Sequence, residues 1–236
     1  MMSGKDYRDF SLVRRITKIE GELVNETPIR VGVGREPPIG AIADLAVYEV
    51  NGEPCIPGSS LKGVFRSLVE SLAASRSINV HPPWENKIVE KEAEEAKFCP
   101  ICGIFGSTEI ASHVRIYDSY PKNGKPPKIL KTGVSIDREF GGARPGALFT
   151  EELIPPGNTW TFRIDILNIN VFPEPDKEDP RALLLKDLID YVVNIGINVG
   201  ARKSVGCGLI RVKRITWIVY SFEKEGIRKV GEGELP

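Results

Sequence analysis

The chain is poor in the residues that most directly announce chemistry: 236 residues contain two histidines, four cysteines and two methionines. Four cysteines cannot staple a chain of this length, which excludes a disulfide-built scaffold and points to a reducing compartment. No apolar run nears the roughly 20 residues that span a bilayer. The first residues, with Lys5, Asp6, Arg8 and Asp9, are too charged for a secretory leader. A soluble, cytoplasmic protein with no membrane partner is expected. Net charge is also missing, because 32 basic residues balance 32 acidic ones. Any nucleic-acid face must therefore come from local segregation of charge. Low-complexity sequence is absent, and an apolar fraction of 41% suffices for a core, so one domain over residues 1–236 is expected.

What is present reads as an α+β chain. Arg15-Ile16-Thr17-Lys18-Ile19-Glu20 and the residues after it partly alternate, as a half-buried strand does. A loop rich in glycine and proline, residues 31–40, should be exposed. Asn51-Gly52 signals a tight turn. Pro57-Gly58 then precedes Ser59-Ser60, a helix cap for an amphipathic run carrying Leu61, Val64, Phe65, Leu68, Val69, Leu72 and Ala73. Residues 76–105 read as an insertion around Cys99-Pro100-Ile101-Cys102. Residues 148–154 and 159–169 read as a hairpin, and Asp179-Pro180 caps a second amphipathic helix that Gly196 stops. A last strand begins near Gly208, with a frayed tail beyond Lys224. Strand, helix, strands, helix, strand is a ferredoxin-like order.

Three constellations carry chemistry. The Pro-Gly turn at residues 57–58 delivers a helix amino terminus that can meet phosphate, with Lys62 and Arg66 four residues apart on one face. The segment from Gly196 to Gly208 places Arg202 and Lys203 among closely spaced glycines, of which Gly200 and Gly206 let backbone approach phosphates. No Gly-x-x-x-x-Gly-Lys-Ser/Thr pattern occurs, so nucleotide hydrolysis is not implied. Cys99-x-x-Cys102 has the spacing of a structural zinc knuckle, and His81 in the same insertion is the third ligand. Glu85 and Cys55 remain open as the fourth. His113 is read as a surface or core-edge residue and Cys207 as structural.

The run from Ile56 to Gly63 (Ile-Pro-Gly-Ser-Ser-Leu-Lys-Gly), the loop from Gly200 to Gly208, and Ile136-Asp137-Arg138 followed by Gly146-Ala147-Leu148-Phe149 together resemble the RAMP superfamily. The closest likeness within it is to backbone subunits of type III (Csm/Cmr-type) CRISPR effector complexes. The resemblance implies a modified RNA-recognition-type fold. It also implies copies stacked in a helical filament along a crRNA, with target RNA and other Csm/Cmr-type subunits as partners. Ser59, Ser60, Lys62, Arg66, Gly200, Arg202, Lys203 and Gly206 would line the guide. A thumb-like hairpin excursion is expected at residues 117–148, where Arg138 and Arg144 hold backbone phosphate and Phe140 stacks on a base. Asp44 matches the loop in which catalytic members carry an aspartate working with Mg2+ or Mn2+, although Leu45-Ala46-Val47 departs from the small-Pro-Val run that often follows it. The resemblance also places zinc in the insertion. The alternative is a non-catalytic, architectural RNA-binding subunit. A processing nuclease of the same superfamily ranks last, because it commonly uses an early histidine and both histidines here come late.

Overall fold

The structure, a computed structural model, describes residues 5–32 and 42–235. The glycine- and proline-rich loop expected to be exposed falls largely on residues 33–41, outside the described residues. In chain order the elements are β1 (Arg15–Asn25), β2 (Glu49–Val50), β3 (Glu53–Pro54), α1 (Gly58–Ser75), α2 (Asn86–Glu94), α3 (Pro100–Phe105), β4 (Val114–Ile116), β5 (Ile129–Ile136), β6 (Ala143–Leu153), β7 (Thr159–Leu167), α4 (Pro180–Asn194), β8 (Ile197–Asn198), β9 (Leu209–Glu223) and β10 (Gly226–Leu235). The main sheet is antiparallel, in the order β10-β9-β1-β7-β4, with β8 added beside β9. Strands β1, β4, β7 and β9 thus occupy the order fourth, first, third, second along the sheet. Among the described residues no helix is long and apolar enough to cross a membrane.

Helices α1 and α4 cover one face of that sheet. Ile19 of β1 pairs across with Ile164 of β7 and Trp217 of β9; Ile19 and Ile164 meet Phe65, Leu188 and Ile189 from the helices, while Trp217 stacks on Phe172. Phe65 contacts Phe162 edge-on, with centroids 6.2 Å apart. The opposite face of β1 carries Lys18, Glu20 and Glu22, the alternation that fixes strand register. Packing rather than capping holds α1. Its N-cap is Pro57 and no side chain caps it, so Ser59 and Ser60 lie inside the first turn instead of ahead of it. Losing a side-chain cap costs about 1 kcal/mol, whereas each of the buried Leu61, Phe65 and Val69 contributes about 1.5–3 kcal/mol. The free amide of Gly58 instead donates to Asp118 Oδ1 at 2.7 Å. A side chain at position 58 would sit 2.3 Å from the Ile116 carbonyl oxygen, so only glycine fits there. By contrast, α4 has the expected cap, with Asp179 accepting from the Arg181 amide.

Three expectations change. The strand at residues 148–153 belongs to β6, which pairs with β5 in a separate two-stranded hairpin and not with β7. That hairpin occupies residues 129–153 rather than 117–148, because Asp118 and Ser119 are tied down by α1 and by pairing with Ile56. Within residues 76–105 the chain forms α2 and α3, and Ile101, Cys102 and Ile104 are fully buried. The tail is no frayed end, since β10 pairs along β9 from Gly226 to Leu235.

His113 is also fully buried, not at the surface. Its Nε2 lies 2.7 Å from Asp9 Oδ1 and 3.5 Å from the Arg181 guanidinium, and Phe10 stacks against the ring at 4.2 Å. Burial pushes its pKa below the usual 6.5, opposed by Asp9 and assisted by Arg181. A neutral buried histidine contributes stability that is present above the unfolded pKa and lost as pH falls through the folded value. Wild type should therefore lose denaturant stability relative to His113→Gln as pH drops below about 6.5. A difference that stays constant from neutral to mildly acidic pH would contradict this.

Candidate nucleic-acid interface and metal centre

The segment at residues 27–32 continues from β1 and is paired along both edges. On one side Ile29 exchanges hydrogen bonds with Ile154, and Val31 accepts from the Tyr48 amide. On the other, Ala201 donates to Arg30 and Gly208 to Pro28. Gly200 and Gly208 have positive φ, and a Cβ at either would lie 2.2 Å from the carbonyl oxygen of Arg30 or Val199. Gly206, also at positive φ, faces open space. The two kinds of glycine differ: Gly200 and Gly208 permit the loop to pack inward, while Gly206 shapes its exposed turn.

Asp44 sits at the base of the β5–β6 hairpin. Its Oδ2 accepts from the Thr150 amide at 2.7 Å, Leu45 pairs in parallel with Glu151, and the Val47 amide donates to Glu152. The Asp44 side chain is exposed. The hairpin itself projects with Ile136, Leu148 and Phe140 exposed, Phe140 at 85%. At its tip Asp137 Oδ1 accepts from the amides of Glu139 and Phe140, a local turn that presents Arg138 and Arg144 to solvent.

The basic residues do not all gather on one surface. Lys203 is exposed and lines an open groove with Val64, Ser67, Ser71, Tyr191 and Asn198. Lys62 is half-buried, and burial together with nearby Arg66 lowers its pKa. Arg66 faces inward: it donates to Glu70, to the Gly106 carbonyl and to Cys102 Sγ. The Lys62–Arg66 clamp expected from their spacing is therefore not formed. Nor is the amino terminus of α1 open to phosphate at Gly58, where Asp118 already supplies the anion. Ser59 remains exposed and Ser60 half-buried. Arg202 donates to Glu151 at 3.0 Å.

Cys99 is the N-cap of α3, with its sulfur accepting from the Cys102 amide. That turn aims both thiols at His81 and at Glu92 of α2, and the four ligand atoms lie within 4.8 Å of one another. His81 Nε2 is 3.7 Å from Cys102 Sγ and 3.1 Å from Glu92 Oε1. Two sulfurs, one imidazole and one carboxylate at these separations suit the roughly 2.0–2.3 Å bonds of a tetrahedral zinc ion. The four side chains are coupled in charge, and zinc binding requires both sulfurs as thiolates and the imidazole neutral. Its partnership with Cys99, followed by that with His81, lowers Cys102 to about 5; Cys102, followed by Glu92, raises His81 to about 10; and Cys99 is pushed up by its neighbour and by burial. Neither expected fourth ligand takes part: Glu85 is exposed and Cys55 is buried outside the cluster.

A model of the RAMP superfamily matches residues 22–211, from the middle of β1 into β9. The chain belongs to the RAMP superfamily. One relative, the CRISPR system Cms endoribonuclease Csm3 of Methanocaldococcus jannaschii, is 27% identical over 209 residues, covering 85% of this chain and 79% of the relative. A chain in the cryo-EM structure of the Type III-B Cmr-beta bound to cognate target RNA has a TM-score of 0.54 at 22% identity. That match covers 85% of this RAMP chain and 60% of the neighbour, and it bears on the fold. Reasoning from sequence missed Glu92, which hides in a run of charged residues. Its signal was the helical spacing that sets Val89 inward and Glu92 toward the knuckle. Glu151 was missed as well, with no pattern in Glu151-Glu152 to show which carboxylate is buried.

Proposed function

We propose that this RAMP protein is a crRNA-binding backbone subunit of a type III CRISPR interference complex that cleaves guide-paired target RNA with Asp44. The observation that carries the reading is the exposed Asp44 carboxylate, fixed by the Thr150 amide at the root of a projecting hairpin tipped with Arg138, Phe140 and Arg144. The names of the two relatives, an endoribonuclease and an assembly bound to target RNA, support it. With Oδ2 engaged, Asp44 keeps Oδ1 for Mg2+ or Mn2+, and when bound the ion supplies charge stabilisation at the scissile phosphate. Lys203 and Lys62, with Ser59 and Ser60, serve the guide backbone, and the hairpin acts as the thumb, with Phe140 stacking on a base. The strand order of the main sheet supports a ferredoxin-like core. Balanced net charge is consistent with copies stacking head to tail in a filament beside other Csm/Cmr-type subunits. The architectural alternative keeps every RNA contact and loses only the role of Asp44.

In the reconstituted complex with divalent metal, Asp44→Ala and Asp44→Asn should each reduce cleavage of complementary RNA by about a hundredfold or more, with guide binding intact. Asparagine preserves an acceptor for the Thr150 amide, so its loss of activity isolates the charge. Undiminished cutting by both variants would move catalysis elsewhere. No cutting by wild type, with RNA bound, would favour the architectural role.

The knuckle is read as a structural zinc site held by His81, Glu92, Cys99 and Cys102. Such a site contributes directly to folding. Purified protein should contain about one zinc per chain. Cys102→Ser should remove most of it, and chelation should lower the melting temperature by about 10 °C. Metal content unchanged in Cys102→Ser would rule this site out.

A further inference from the structure

Arg202 and Lys203 are adjacent basic residues in a glycine-rich loop, and their sequence offers no reason to separate their roles. Their surroundings do. The Glu151 side chain is fully buried in β6. Its Oε2 lies 3.0 Å from Arg202 Nε and 3.8 Å from Arg30 Nε. The Arg202 guanidinium also rests 4.9 Å from the centroid of Phe149, two residues before Glu151, the strand position paired with Leu45. Arg202 adopts a left-handed backbone with φ of 63°, rarely taken by a residue with a side chain, so the surrounding contacts hold it there. Lys203 points the other way: it is exposed in the groove beside α1, with no carboxylate in ion-pair range among the described residues.

We infer that Arg202 is a positioning residue and not a phosphate ligand. Glu151 anchors it, and through it the glycine-rich loop is locked to the hairpin base that also carries Asp44, leaving Lys203 as the loop's phosphate contact. Arg30 shares the same carboxylate, so one buried anion ties together three segments distant in sequence. The assignment of Lys203 rests on the RNA-binding reading above; the tether itself does not. A desolvated carboxylate between two guanidiniums resists removal of either partner, because the group left behind remains buried and unpaired.

The test has two arms. In the first, hydrogen exchange is followed on the full chain without RNA. Arg202→Gln and Glu151→Gln should each accelerate exchange across residues 199–208 by about tenfold or more. The double variant should be no faster than the worse single one, and Lys203→Gln should match wild type. Exchange unchanged by Arg202→Gln would overturn the tether. In the second arm, guide binding by the assembled complex is measured against salt concentration. Lys203→Gln should make the logarithmic slope shallower by about 0.7 for each copy of the chain on the guide, the loss of one single-strand phosphate contact per copy. Arg202→Gln should weaken binding with the wild-type slope retained. An equal loss of slope in Arg202→Gln would show that Arg202 contacts phosphate and overturn the assignment. If the wild-type complex binds no guide, the RNA reading fails, while the exchange arm still decides the tether.

Discussion

Backbone pairing on both edges of residues 27–32 is the constraint on which the candidate interface depends. Beyond β1 the chain leaves the main sheet and becomes the middle member of a second set of pairings, with Ile154 and Tyr48 on one side and the glycine-rich loop on the other. Buried amides and carbonyls must find partners, so this segment fixes where residues 45–48, residues 150–154 and residues 199–208 can lie. Gly200 and Gly208 are needed because the loop carbonyls and those of the central segment approach closer than any Cβ allows. The candidate groups then take their places by default: Asp44 one residue before the paired Leu45, Lys203 in the turn between Gly200 and Gly208, and the hairpin tip at the far end of β5 and β6.

A second constraint ties the lobe that carries the Cys-x-x-Cys cluster to the same scaffold. Arg66 reaches from α1 to both the Gly106 carbonyl and the Cys102 sulfur, which joins the helix to the end and the middle of α3. The helix face expected to meet RNA thus contributes a cation to the cysteine cluster, at the Cys102 sulfur. Fully buried Ile101 and Ile104 on α3 carry the lobe into the main core. The lobe is therefore continuous with the domain.

Much of this was legible before the structure. Helical spacing identified α1 and α4, alternation identified β1, and the Cys-x-x-Cys motif identified the two sulfurs. Those signals are local, and each is set by burial of one face. What escaped was decided by long-range pairing or by partners distant in sequence. Residues 148–153, Leu-Phe-Thr-Glu-Glu-Leu, are extended whichever strand they join, so nothing local distinguished pairing with β5 from pairing with β7. The spacing of Lys62 and Arg66 was read correctly as one helical face, but not that Cys102 and Glu70 would claim the arginine. Ser59-Ser60 resembles a cap, yet Asp118, sixty residues away, meets the helix end. The β10 segment carries alternating charge that reads equally as a solvated tail or as an exposed edge strand.

The central claim is that Asp44 stands beside target RNA, at a place set by the hairpin base. All four native cysteines are buried, so Asp44→Cys offers a selectively reachable thiol for a tethered iron chelate that cleaves nearby nucleic acid. In the complex loaded with guide and complementary RNA, the account predicts radical cuts in the target strand at regular intervals, one set for each copy of the chain. Cuts confined to the guide, or none above the background of unlabelled complex, would contradict it.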